Sequence, residues 1–202
     1  MKKSNSFYLV ALFLIFAANL QVHAQAPVQP PAEEYKTFGA GISFQPFGIA
    51  NILEEFEGVP LTKFNFAINA TKGFRTEIEL GYYSRNNKSD DSKANALDVG
   101  IGLLGTKRIN ANVIMGGIKF NYAGGKFNYE NGSGQNIEDK FKRFAVGPVL
   151  GYEHILGGQF GIGGELGLKY SSYKETPGDA DSEDVESTSL YTDSAIFVRF
   201  YF

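Results

Sequence analysis

Nine ionisable side chains fall on one face of strand-like segments: Arg75, Glu77, Glu79, Asp98, Glu153, Glu165, Lys169, Asp193 and Arg199. Their signs are mixed, as internal pairing requires. An ion held away from water is costly unless it is paired or hydrated. The expected chemistry is a lumenal salt-bridge network that plugs an enclosed space. A solvated strand face on a soluble protein is the plainer alternative.

Other chemical motifs carry less. Gly100-Ile101-Gly102-Leu103-Leu104-Gly105 spells a dinucleotide fingerprint, but Thr106 to Asn110 lead into another strand where that motif needs a helix. Glu175, Asp179, Asp181, Glu183, Asp184 and Glu186 make one long loop acidic, with Asp184 where a calcium loop needs glycine. A self-repelling external loop is expected there, weak divalent-cation binding being the sharper alternative. Ile49, Ile52, Leu53 and Phe56, interleaved with Glu54, Glu55 and Glu57, give a short amphipathic period in the first long loop. With no cysteine, disulfides, thiolate metal sites and thiol nucleophiles are excluded. No cofactor, metal site or catalytic residue is expected.

These side chains sit on segments that alternate with period two. Twenty-four glycines and 29 Phe and Tyr residues argue against helices and for an all-β chain. Eight strands are expected, near 37–46, 62–70, 74–85, 95–104, 111–123, 143–153, 159–172 and from about 190 to the end. The second sets Phe64, Phe66 and Ile68 against Lys63, Asn65 and Asn69. In the fifth, Val113 and Met115 fall out of phase with Ile118, Phe120 and Tyr122, so a bulge is expected at Gly116-Gly117. Pro148 implies a bulge or local break in the sixth. Short connections follow strands two, four and six; long ones follow one, three, five and seven. That asymmetry is typical of transmembrane barrels, and Tyr82, Tyr122, Tyr152 and Tyr170 are expected to form an external girdle.

The amino terminus is read as a signal peptide over 1–24. Lys2 and Lys3 precede an apolar run from Phe7 to Ala18, and Val22-His23-Ala24 ends it. Its removal takes both lysines and moves the net charge from −3 to −5. A proline-rich periplasmic tether is expected over 25–35 and the barrel over 36–202. A mildly acidic chain without basic clusters argues against nucleic acid as a partner. Glycines crowd the polar faces of the strands, which suits a narrow eight-stranded lumen and gives nothing to a solvated surface.

The last strand places Ile196, Val198, Phe200 and Phe202 on one face and stops on phenylalanine. With the signal peptide, strand count and loop asymmetry, this resembles the small eight-stranded outer-membrane β-barrel (porin-like) family of Gram-negative bacteria, similar to the transmembrane domain of outer-membrane protein A. The resemblance covers about residues 36–202. It implies an eight-stranded antiparallel up-and-down transmembrane β-barrel in the cell outer membrane. It also implies outer-membrane lipids and the barrel-assembly machinery as partners, the latter reading Ile196, Val198, Phe200 and Phe202. A structural or surface-interaction role through the external loops is expected, with a loop-binding surface partner. A narrow channel for ions or small solutes and a secreted lipid-binding calyx are the alternatives. Enzymes of this family rely on a histidine near the external mouth. His154 falls in an expected periplasmic turn, so no enzyme is expected.

Overall fold

Period-two alternation of apolar and polar or glycine residues gives each segment one greasy and one polar face, and pairing all of them leaves no open edge. The computed structural model describes residues 36–45, 61–87, 92–130, 134–179 and 182–202. All of them belong to the unit Tyr35–Phe202. The expected signal peptide and tether and the amphipathic stretch at 49–57 lie outside the described residues.

Eight strands form an all-β fold: β1 Phe38–Gln45, β2 Leu61–Thr71, β3 Phe74–Asn87, β4 Ser92–Ile109, β5 Asn112–Glu130, β6 Asn136–Leu156, β7 Phe160–Thr176 and β8 Val185–Tyr201. Each pairs antiparallel with the next, and β8 returns to β1 to close the barrel. Tight turns join β2 to β3, β4 to β5 and β6 to β7. Ile109 pairs with Asn112 across the second of these. Asn110 takes φ 56° there, in the left-handed region that asparagine tolerates.

Several strands outrun their expected limits. β6 spans 21 residues and β5 spans 19, so the long connections shorten. The extra rungs are mostly polar on the outside, while Phe141 points inward within 5.9 Å of the Phe127 ring and 6.2 Å of the Tyr173 ring. Ion pairs hold them, as where Lys126 meets Glu138 at 3.0 Å and Lys174 meets Glu186 at 3.1 Å.

The expected bulge in β5 is absent. Gly116 pairs with Gly105 and Gly117 with Leu104 in unbroken register on one side, and pairing to β6 is equally continuous. Val113 and Met115 share the inward row with Lys119 and Asn121, so apolar side chains pointing inward caused the apparent phase slip. At Pro148 the ladder to β7 breaks between Val146–Tyr170 and Val149–Gly167, then resumes in the same register. A proline lacks the N–H that the rung would need.

The outward face is apolar. Leu150 and Leu166, paired across β6 and β7, are 72% and 68% exposed, while inward Glu77 and Glu153 are 0% exposed. A soluble calyx needs the reverse arrangement, so that alternative and the solvated-face reading are overturned. From Phe160 to Tyr170 on β7 the apolar face rises roughly 25 Å at ordinary strand rise and tilt, the height of a barrel's lipid-facing band. Tyr82, Tyr122 and Tyr170 mark its external edge. Tyr152 lies instead at the opposite end, because β6 descends toward the turns. His154 is in β6, paired with Asn112 and Ile162, and not in a turn.

Candidate functional site

Strand pleat sends alternate residues of all eight strands toward one axis, and the largest buried side chains there are charged. Near the turn end, Arg75 on β3 reaches Glu153 Oε2 on β6 at 2.8 Å and donates from Nε to Asn69 Oδ1 at 2.8 Å. The Tyr201 hydroxyl donates to the same Glu153 carboxylate at 2.7 Å. Arg199 on β8 places Nη2 at 2.6 Å from Glu77 Oε1 and donates from Nε to Asn65 Oδ1 at 2.6 Å. Its guanidinium lies 3.8 Å from the centre of the Phe197 ring.

Farther along the axis, Lys119 on β5 is held by three carboxylates. Its Nζ stands 3.0 Å from Glu77 Oε2, 2.7 Å from Glu79 Oε1 and 2.6 Å from Glu165 Oε1. Ligand atoms of these three acids lie within 4.8 Å of one another, a separation that could hold a metal ion. The ammonium of Lys119 already supplies a cation there. Lys63 on β2 meets Asp98 on β4 at 2.6 Å. Lys169 donates to Asn121 Oδ1 at 3.0 Å and to the Lys119 carbonyl at 3.5 Å. Asp193 accepts a long 3.5 Å bond from Gln45 Nε2.

The structure thus brings Arg75, Glu77, Glu153 and Arg199 into one cluster and Glu79 and Glu165 onto Lys119. Asp98, Lys169 and Asp193 lie at its external side with other partners. Sequence reasoning left Lys63, Lys119 and Arg143 out of the set. Counting them, six cations (Lys63, Arg75, Lys119, Arg143, Lys169, Arg199) face six carboxylates (Glu77, Glu79, Asp98, Glu153, Glu165, Asp193). Lys63 was visible on the polar side of its strand. Lys119 was hidden by the apparent phase slip, and an unbroken count of odd positions from Val113 would have found it.

Glycines give these side chains room. A Cβ on Gly161 would collide with Glu153 Oε1, and one on Gly163 with the Phe197 ring. On Gly100 it would lie 2.7 Å from Asn121 Nδ2, and on Gly102 3.1 Å from Lys119. Two apolar packs complete the filling: Leu104, Met115, Val149 and Phe197 in one, and Ala67, Val113, Ile155 and Tyr201 in the other. Ile196, Val198, Phe200 and Phe202 all face outward. Phe202 closes the apolar face with its ring 5.9 Å from Phe38 and 5.2 Å from Phe200.

A closed barrel, apolar outside and charged within, matches the outer membrane protein beta-barrel domain family over residues 9–193. The chain belongs to that family. It is an outer-membrane protein, and lipid is the medium of its outward face. No curated protein sequence matches the chain. The barrel is similar to the N-terminal β-barrel domain of Pseudomonas aeruginosa OprF, at 11% identity over 84% of this chain and 100% of that one, TM-score 0.43. It is also similar to a major outer membrane protein from Thermus thermophilus, at 9% identity over 84% and 100%, TM-score 0.45. A third is Ail, the attachment invasion locus protein of Yersinia pestis, at 10% identity over 82% and 96%, TM-score 0.42.

Beyond the lipid band of this outer-membrane barrel, the hairpins end in a charged rim. Hydrogen bonding from Lys126, reinforced by Lys140, holds the Glu138 carboxyl below its usual range. Asp184 is lowered in the same way by Lys174 and then Thr176. Of the acids expected to make one self-repelling loop, Asp184 and Glu186 are engaged by Lys174 and Glu175 accepts from Tyr173.

Proposed function

We propose that this outer-membrane barrel has a structural and surface-interaction role, with binding in its external loops, and that it catalyses no reaction. The observation that carries this reading is the balanced charge network across the axis. Six cations matched to six carboxylates, interlocked with aromatic and aliphatic side chains, leave an eight-stranded lumen filled. A filled lumen transfers the functional burden to the exposed end, where polar hairpins stand clear of the lipid. In this reading the barrel-assembly machinery recognises the outward row Ile196, Val198, Phe200 and Phe202, and a surface partner meets the loops. The test is uptake of small sugars by liposomes containing the refolded protein. Rates equal to those of empty liposomes support the proposal, and size-graded uptake overturns it.

A narrow channel is the second reading, and one observation favours it. Asp193 Oδ1 and Arg143 Nη1 are buried toward the external end without a hydrogen-bond partner. Such groups call for water, which would hydrate the outer part of the lumen. The inner cluster around Glu77 and Glu153 would then be the barrier.

A further inference from the structure

At the external end, β1 runs only to Gln45 and β2 starts at Leu61, two residues that pair with each other. The neighbouring β8 extends farther. Its rungs to β1 stop at Ile196, while its rungs to β7 continue out to Val185. Two backbone hydrogen bonds at the other end of β8 fix which way its peptide groups point. Phe202 N donates to the Phe38 carbonyl at 2.9 Å, toward β1, and Tyr201 N donates to the Gln159 carbonyl at 2.7 Å, toward β7. In an antiparallel ladder the N–H and C=O of one residue share a side, and the side alternates along the strand. Register to β7 is unbroken from Phe200 to Val185, so the alternation carries through. Glu186, Thr188 and Leu190 therefore turn their N–H and C=O groups away from β7. No backbone partner meets them there among the described residues. Across the gap, Tyr83 and Arg85 of β3 are already engaged, which leaves β8 as the open edge.

Residues 185–190 are all exposed, and Leu190 pairs with Tyr170 at the external edge of the lipid band. The edge above Leu190 thus stands in water. Such edges are ordinarily blunted by proline, lysine or a bulge, and Val185–Leu190 has none of these. Its one charge, Glu186, leans to Lys174 on β7 at 3.1 Å, away from the edge. Beyond Tyr170 the described residues of this hairpin carry Glu175, Asp179, Glu183, Asp184 and Glu186 against one cation, Lys174. We propose that this edge takes up an extended, basic segment of a surface partner as an added strand. The proposal rests on the surface-interaction role given above and names the partner's chemistry. Main-chain groups of Glu186, Thr188 and Leu190 supply the ladder. Ser187, Thr188 and Ser189 suit hydroxyl and β-branched neighbours across it, and the excess of acids selects lysine or arginine.

The test is titration of the full chain, refolded in neutral detergent, with a peptide of about ten residues alternating threonine and lysine. A peptide alternating threonine and glutamate is the control, and amide exchange followed by NMR is the readout. Saturable protection is expected at Glu186, Thr188 and Leu190, with no change at Ser187 and Ser189, which already bond to β7. The glutamate peptide should protect none of them. Thr188→Pro removes an edge donor without touching the β7 ladder and should weaken binding about tenfold or more. Should that variant fail to fold, Asp184→Lys with Glu186→Lys serves, and should move the preference to the glutamate peptide. Absence of saturable protection, protection spread equally over even and odd residues, or unchanged binding in the variant that folds would each overturn the proposal. Any of these leaves the sugar-uptake test of the broader role untouched, so the two readings fail separately.

Discussion

Arg199 of β8 and Glu77 of β3 meet at 2.6 Å across the barrel axis, on strands that share no edge. Both are fully buried, so this contact and its neighbours couple the barrel wall through its interior. Removing one charge strands the other. Glu77→Gln is expected to destabilise the barrel by about 3–5 kcal/mol, measured by urea unfolding in lipid vesicles. In a double-mutant cycle with Arg199→Gln, a coupling of about 1–3 kcal/mol is expected. Additive losses would show that the pair contributes nothing specific.

Lumenal glycines are expected to resist substitution according to what their Cβ would meet. Gly102→Val drives methyl groups toward Lys119 and Glu77, at a cost of about 1–3 kcal/mol. Gly73→Ala faces only a carbonyl 3.9 Å away and should lie within about 0.5 kcal/mol of the parent. Heat-modifiable gel mobility after refolding reads both. Equal effects would show that the lumen is not tightly filled.

The period-two pattern made the strand count, the closed barrel and the outward face legible, because each strand buries one face in lipid and the other in the lumen. The lumen was less legible, because it is not uniformly polar. Leu104, Met115 and Val113 point inward, and the apolar character of the last two disguised the β5 phase that carries Lys119 and Asn121. Tyr201 shares the face of Arg199 in the sequence pattern, but nothing in an aromatic's place there announces that its hydroxyl serves Glu153. Strand ends were missed where pairing continues into water, since Lys126–Glu138 and Lys174–Glu186 leave no apolar signature.

The lipid face gives a prediction of opposite chemistry. Leu166 lies midway between Phe160 and Tyr170 and faces outward. Leu166→Arg is expected to cost about 2–4 kcal/mol in vesicle refolding, and the same change at Leu190, near the external edge, about 1 kcal/mol or less. Equal costs would place the membrane elsewhere on the barrel.

Acid should loosen the external rim. Glu138 and Asp184 have carboxyl pKa values below the ordinary range in the folded protein, so their contribution is present at neutral pH. It is lost as pH falls through and below about 4, where the carboxylates take up protons. Amide protection factors, corrected for the intrinsic exchange rate at each pH, should fall in the upper rungs of β5–β6 and β7–β8 between pH 6 and pH 3, ahead of the lipid-embedded rungs. No change there would show that these ion pairs leave the rim's stability untouched.

Current through single barrels in a planar lipid bilayer tests the closed lumen most directly. The wild-type protein should show no stable open level, and Glu77→Ala with Arg199→Ala should produce one by emptying the inner cluster. A steady wild-type conductance that these substitutions abolish would contradict the account.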